Sequence, residues 1–424
     1  MILTNNDSIE LLPRMANRHG FIAGATGTGK TVTLKLMAEK FSEIGVPVFL
    51  ADIKGDIAGL GMSKYPVTFW DAYNETGVPF HNDVYNFSSM LLAKLLALSE
   101  SQASILAIIM HEYQGEAHTL EDLRRVLTQA LQKEGGYPKV SVNALIRKIR
   151  TLEIEGGDIF FEGTAIDIDD LFKVKEGFGV INILDATKLI HKPELYATSI
   201  MSILQGIYEK LPEVGDVDKP KLVFFFDEAH LLFTDCPKIL LKTIERIIRL
   251  IRSKGVGVYF ITQSPKDIPD NILGQLGNRV QHALRAYTPK EFHAVKIAAQ
   301  TFRTNPAFDT EKAITQLGTG EALVSFLDAK GAPSVVERVK ILQPESMKYG
   351  VIDKQIREDI NNNEILNEKY LTSIITKEQN VTVEGKYDVW KIVTMFANIW
   401  LFLMFGLLKL GEAIIYDGGR KGRR

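Results

Sequence analysis

Short runs of β-branched and aromatic residues recur along the chain, and many end in a small or acidic residue. Gly20–Gly24, Val46–Asp52, Gly179–Asp185, Leu222–Asp227, Gly257–Thr262, Val280–Ala286 and Ala322–Leu327 are apolar on both faces rather than alternating. Runs of this kind predict parallel strands buried between helices. Helical patterns such as Lys30–Ile44 and Pro237–Ser253 lie between them. The alternation predicts an α/β fold with a doubly wound, mostly parallel sheet.

Two stretches break the pattern. From Phe87 to about Gly156 no strand signal occurs; Ser99–His111 and Leu120–Lys133 read as helices, with a loop at Gly135–Pro138. This predicts an all-helical insertion over 87–160, set between core segments 1–86 and 161–345. In the C-terminal part, 346–424, the polar run Asn361–Asn363 predicts a linker. Beyond it Ile392–Leu408 carries no charge over 17 residues, and Lys391, Thr394, Asn398, Lys409 and Glu412 share one narrow helical face. Arg420, Lys421, Arg423 and Arg424 form a basic end. A helical tail is expected, with three placements open: packed on the core or a neighbouring subunit, peripheral on an anionic membrane, or spanning it.

Composition narrows the function classes. With 46% hydrophobic and 24% charged residues, the 424-residue chain can bury a substantial core. The formal net charge of −2 supplies no global basic field, so nucleic-acid binding needs a local patch or an assembled pore. The single cysteine, Cys236, excludes an internal disulfide and a cysteine-based zinc site, and fits a reducing compartment. Cys236 itself is expected to be a small loop residue rather than a nucleophile. The N-terminal residues carry no apolar signal region, and the first 388 residues hold no uninterrupted apolar run of spanning length. A cytoplasmic protein is expected, with peripheral contact at the inner membrane through the tail as a further option.

The chemistry begins at Gly24-Ala25-Thr26-Gly27-Thr28-Gly29-Lys30-Thr31, a full match to G-x-x-x-x-G-K-[ST] after an apolar strand and opening a helix. Glycines let the backbone turn its N–H groups toward phosphate oxygens, and the helix N-terminus adds a positive dipole end. ATP is expected against Gly24, Ala25, Thr26, Gly27, Thr28, Gly29, Lys30, Thr31 and Val32. Lys30 would bridge the β- and γ-phosphates, and the Thr31 hydroxyl would ligate Mg²⁺. Leu222–Glu228 carries an acidic pair out of a strand. Alone, such a run equally describes a capped strand end. Beside a phosphate loop, Asp227 is expected to hold the metal shell and Glu228 to polarise the attacking water. Gln263, at the tip of the next strand, is expected to touch both γ-phosphate and water and to report nucleotide state. Asp52–Asp56 ends another strand; Lys54 or Asp56 approaches nucleotide or a translocated strand, or the segment is a polar turn with Gly55 at positive φ. His230 is expected to be a hydrogen-bonded neighbour of the acidic pair rather than a metal ligand.

The phosphate loop, Phe224–Phe233, Arg249–Ala286, Thr310–Leu323 and Ala51–Asp56 resemble the HerA/FtsK superfamily, most closely its bacterial YjgR-like branch of HerA-like ATPases. The resemblance spans about residues 8–345. It implies a RecA-like core in a homo-oligomer, a hexameric ring, whose wider relatives are DNA-pumping or helicase motors. One departure stands out: HerA proteins carry a small β-barrel before the ATPase core, and here about twenty residues precede the phosphate loop.

Lys238, Lys242, Arg246, Arg249 and Arg252 are spaced 4, 4, 3 and 3, a basic stripe along one helical face. It reads as an ordinary solvated face, or as one whose C-terminal end, Arg249 or Arg252, reaches the neighbouring subunit's γ-phosphate. The resemblance favours Arg252 as that arginine finger; Arg279 and Arg285 are weaker candidates. The leading expectation is an ATP-hydrolysing oligomeric motor that translocates or unwinds DNA. The alternatives are a motor acting on protein cargo and a nucleotide-dependent switch or scaffold at the membrane.

Overall fold

The computed structural model describes residues 1–348, apart from 74, 134–135 and 235–237, together with 352, 354–360, 366, 369 and 370. Cys236, the linker expected at Asn361–Asn363 and the tail helix expected at Ile392–Leu408 lie outside the described residues. All described residues belong to one unit, Met1–Thr372.

The strands are β1 (Gly20–Ala23), β2 (Val48–Asp52), β3 (Val67–Asp71), β4 (Val78–Pro79), β5 (Val174–Lys175), β6 (Phe178–Gly179), β7 (Ile181–Asp185), β8 (Leu222–Phe226), β9 (Val256–Thr262), β10 (Asn278–His282), β11 (Glu321–Ser325) and β12 (Glu337–Lys340). The helices are α1 (Lys30–Glu43), α2 (Ser89–Leu95), α3 (Glu100–Glu112), α4 (Leu120–Gln132), α5 (Lys139–Ile154), α6 (Pro193–Lys210), α7 (His230–Phe233), α8 (Lys238–Ile251), α9 (Asp270–Leu273), α10 (Pro289–Gln300), α11 (Thr310–Gln316) and α12 (Lys354–Ile360). Ten strands form one sheet in the order β12-β11-β10-β1-β9-β8-β2-β7-β3-β4; β5 and β6 form a separate antiparallel pair.

From β10 to β4 every neighbour is parallel, as both-face burial predicts. In β8, Phe224 and Phe226 face the layer that holds α2–α6 and α8, while Val223 and Phe225 face the α1 layer. Phe224 stacks on Phe49 with ring centroids 4.7 Å apart, and Phe226 on Phe260 at 5.2 Å. Burying a large apolar side chain contributes about 1.5–3 kcal/mol, so these rings strongly favour one strand order.

Two differences from the sequence reading have physical causes. Ala322–Leu327 was grouped with the parallel strands, but β11 runs antiparallel to β10. Burial on both faces does not encode direction, and α10 and α11 lead the chain back to the edge where β10 ends. β12 escapes apolar-run reading because Glu337, Arg338 and Lys340 are charged, as suits a sheet edge. β3, Val67–Asp71, adds a further parallel strand with the same aromatic, Asp-terminated pattern as its neighbours.

Among the described residues, the stretch Phe87 to Gly156 holds α2 to α5 and no strand. Capping boxes start α3, at Ser99 and Gln102, and α4, at Thr119 and Asp122. In α8, Leu240, Ile244, Ile247, Ile248 and Ile251 are buried, whereas Lys238, Lys242, Arg246 and Arg249 are exposed. Among the described residues, no helix is long and apolar enough to cross a membrane.

Asn182 stitches three elements together inside the sheet. Fully buried, it accepts from Trp70 Nε1 at 3.0 Å and donates to Val48 O at 3.1 Å and Leu171 O at 3.2 Å. Asn182→Leu leaves the indole N–H without its acceptor, which costs about 1–3 kcal/mol. The urea unfolding midpoint is expected to fall accordingly, and an unchanged midpoint would refute this account.

Candidate functional site

Four consecutive strands, β1-β9-β8-β2, end at the same sheet edge. The loops that follow them carry Gly24–Thr31, Gln263, Asp227-Glu228 and Lys54–Asp56. A crevice outside the carboxyl ends of parallel strands is where open α/β sheets bind ligands.

The phosphate loop is held by its flanks. Gly24 N–H donates to Thr262 O at 3.3 Å and Ala25 N–H to Ala283 O at 2.8 Å, tying the loop to the ends of β9 and β10. Gly24 and Gly29 adopt φ of 155° and 122°, and a Cβ at Gly24 would stand 2.5 Å from His282 Cβ. His282 forms the floor beneath the loop: its Nε2 pairs with Thr33 Oγ1 at 2.8 Å and its Nδ1 with Glu321 O at 3.0 Å. Burial pushes the His282 pKa down to about 4, so the floor is uncharged. Sequence reading missed His282, because its partners are distant in the chain. Thr26 and Gly27 are exposed at the loop tip, and Val32 lies one turn into α1.

Lys30 Nζ donates to Gly24 O at 2.6 Å and Ala25 O at 3.1 Å. Burial and the Lys54 charge hold the Lys30 pKa below its ordinary value, against the pull of Glu228, Asp227 and Asp56. Thr31 Oγ1 donates to Asp56 Oδ2 at 3.2 Å. Of the two residues left open in the Asp52–Asp56 turn, both reach the site: Asp56 meets Thr31, and Lys54 Nζ pairs with Glu228 Oε1. Asp52 shapes the turn by accepting from the N–H groups of Gly55, Ile57 and Ala58, with Gly55 at φ 77°.

Asp227 and Glu228 sit where β8 ends. Tyr196 OH donates to Asp227 O at 3.0 Å, and Glu228 N–H to Asp227 Oδ1 at 2.9 Å. Glu228 has φ 48°, a left-handed conformation that costs a non-glycine residue about 1–3 kcal/mol. Its Oε2 is buried without a hydrogen-bond partner; His230 Nδ1 stands 3.3 Å away, within ion-pair range but outside hydrogen-bond geometry. Burial first, and the Glu228 charge second, push the Asp227 pKa up to about 7. Gln263 is exposed one residue beyond β9, between the phosphate loop and the acidic pair in strand order.

Among the described residues no group of three or more His, Cys, Asp or Glu side chains forms a metal cage. A cation here would draw on the Thr31 hydroxyl, the Asp227 carboxylate and phosphate oxygens together. That hard-oxygen donor set suits Mg²⁺, and a divalent charge would relieve the burial of Asp227.

Arg252 lies elsewhere. It follows α8 and precedes β9, at the opposite end of that strand from Gln263. Seven strand residues separate those ends, on the order of 20 Å. Its guanidinium stands 4.0 Å from Asp216, and burial and Arg18 lower its pKa. Arg279 donates to Leu276 O, and Arg285 to Thr315 O and Leu317 O.

A carboxyl whose pKa rises on folding holds more protons in the folded than in the unfolded state, so its contribution declines as pH increases. For Asp227 the decline runs from about pH 4 to about 7. Asp227→Asn mimics the protonated group. Relative to the unaltered, nucleotide-free protein it is expected to gain stability between about pH 4 and 7 in urea unfolding and to level off above that; a pH-independent difference would contradict this.

Comparison with known proteins agrees with this geometry. The sequence matches the family described as Helicase HerA-like C-terminal over residues 2–64 and 60–383. It is 24% identical over 346 residues to the DNA double-strand break repair helicase HerA of Sulfolobus acidocaldarius, covering 76% of this chain and 65% of that one. It is 24% identical over 330 residues to the DNA import protein CedB of the same organism, covering 74% and 51%. The chain thus spans less than two thirds of the length of these curated relatives. Among solved structures, the bacterial conjugative coupling protein TrwB superposes with TM-score 0.59 at 14% identity, covering 82% of this chain and 91% of that one. VirB4 of Thermoanaerobacter pseudethanolicus superposes with TM-score 0.60 at 14% identity, covering 82% and 97%. These likenesses establish a RecA-like α/β fold. Since the family match runs over most of its length, the chain belongs to the Helicase HerA-like C-terminal family.

Proposed function

We propose that the chain is the subunit of an ATP-hydrolysing homo-oligomeric motor, a hexameric ring, that acts on DNA. The observation that carries the reading is the convergence of a phosphate loop, an acidic pair, Gln263 and the Lys54–Asp56 turn on one sheet edge, while Arg252 lies at the far end of β9. In this reading Gly24–Val32 bind ATP, with Lys30 on the phosphates, and Thr31 and Asp227 hold Mg²⁺. Bound there, Mg²⁺ would offset negative charge on the phosphates. Glu228 accepts a proton from the attacking water, and Gln263 orients it. Arg252 is too far from its own phosphate loop to serve it, and therefore serves a neighbour's. The DNA substrate is supported by the names of the relatives HerA and CedB and by the exposed basic face of α8. Among the described residues no carboxylate forms an ion pair with Lys238, Lys242, Arg246 or Arg249.

Steady-state hydrolysis by the purified oligomer, with and without double- and single-stranded DNA, tests the reading. Turnover is expected to rise with DNA and to fall back as salt is added. Turnover indifferent to DNA would favour a protein cargo, and nucleotide binding without turnover would favour a switch. Glu228→Gln is expected to lose about 10²–10⁴ in kcat while still binding nucleotide.

Arg252→Ala is expected to lose turnover without losing nucleotide affinity or assembly; a finger in GTPases contributes roughly 10³–10⁵ in rate. Mixing this variant with Glu228→Gln tests the trans arrangement directly. One class of mixed interface then holds an intact Glu228 from one subunit and an intact Arg252 from its neighbour. Recovered turnover is the expected result, and two inactive variants that stay inactive together would sink the assignment.

A further inference from the structure

We infer that Lys54 is a γ-phosphate sensor that holds Glu228 in an ion pair until ATP is bound. The inference rests on the ATPase reading and extends it to a residue which that mechanism leaves without a role.

Lys54 Nζ pairs with Glu228 Oε1 across 174 residues of sequence. The two partners differ in freedom. The Lys54 side chain is 42% exposed, at the end of a flexible stem, whereas that of Glu228 is 9% exposed. Glu228 is also fixed at its backbone, by its left-handed φ and by the hydrogen bond from its N–H to Asp227. If the pair separates, the lysine is the partner that moves.

The surroundings supply the reason to move. Lys54 and Lys30 share one cluster of charges with Asp56, Asp227 and Glu228, and each lysine feels all three carboxylates. Burial opposes the Lys54 charge, but Glu228, Asp227 and Asp56 outweigh it, so the ammonium is retained. A γ-phosphoryl group held by Lys30 brings further negative charge into that cluster and competes with Glu228 for the Lys54 ammonium. An ammonium-bound carboxylate oxygen is a poor acceptor for a water proton. Its release gives Glu228 that capacity at Oε1, the other oxygen being buried away from water. ADP has no γ-phosphoryl group and leaves the pair closed. Lys54 is therefore a positioning residue for Glu228 and a ligand for the terminal phosphate in turn. The backbone of the Lys54 turn, anchored through Asp52 to three N–H groups, need not shift for this exchange.

The test is nucleotide affinity rather than turnover alone. The unaltered protein, Lys54→Met and Lys54→Arg are titrated with ADP and with a non-hydrolysable β,γ-imido ATP analogue, both with Mg²⁺. Lys54→Met is expected to lose about tenfold in affinity for the analogue, the scale of one charge-assisted hydrogen bond, and to keep its ADP affinity. Retained ADP binding also shows that the variant is folded. Lys54→Arg is expected to recover most of the analogue affinity. Equal losses for both nucleotides, no loss for either, or a fall in turnover with an unchanged analogue-to-ADP ratio would each overturn the role of Lys54. If the unaltered protein binds neither nucleotide, the ATPase reading falls and this inference falls with it. Binding of both with an unchanged ratio in the variant removes only the inference.

Discussion

The candidate site depends on keeping several charges of both signs close together in a partly dry place. Asp52, Asp56, Asp227 and Glu228 converge with Lys30, Lys35 and Lys54 at the carboxyl edge of the sheet, and most of them are buried or nearly so. Burial, with Asp56 adding to it, pushes the Asp52 pKa up to about 6, while burial drives those of Lys30 and Lys35 down. Removing one partner of such a set leaves the others desolvated and uncompensated. The arrangement is stable because parallel strands deliver each group on a rigid stem, and poised because a phosphate and a divalent cation would complete its charge balance.

The strand order turns that balance into chemistry. β9 separates the phosphate loop on β1 from the acidic pair on β8, and its own tip is Gln263. The aromatic contacts of Phe49, Phe224, Phe226 and Phe260 hold the central strands in that order. The same rigidity separates Arg252 from the phosphates of its own chain. With Gln263 at one end of β9 and Arg252 at the other, the strand holds the two apart within the chain. Within the acidic pair, strain enters at the left-handed Glu228, and there the structure also leaves a buried carboxylate oxygen without a hydrogen bond.

Chemistry written in consecutive residues was legible from the sequence. The phosphate loop needs only a strand, eight adjacent residues and a helix start, and all three are local. The apolar strand ending in Asp227-Glu228, the helical stretch from α2 to α5 and the amphipathic α8 are likewise set by periodicity and by side-chain size. Family membership was legible for the same reason, through contiguous blocks around Phe224–Phe233 and Arg249–Ala286. Strand direction at the β11 edge was not legible, since an apolar run looks the same in either direction, and neither was β12, whose charged residues carry no apolar signal.

Tertiary structure alone decided which distant residues meet. Lys54 finds Glu228, Thr31 finds Asp56 and Thr33 finds His282 only because the sheet places β2 beside β8 and β10 beside β1. Those pairings depend on strand order and on the volume of the packed layers between, which hydrophobic period does not encode. Sequence determined that this protein has a phosphate loop and an acidic pair to work with it. The fold decided that Lys54 pairs with Glu228 and that Arg252 stands at the opposite end of β9 from Gln263, because both follow from positions set across the sheet rather than along the chain.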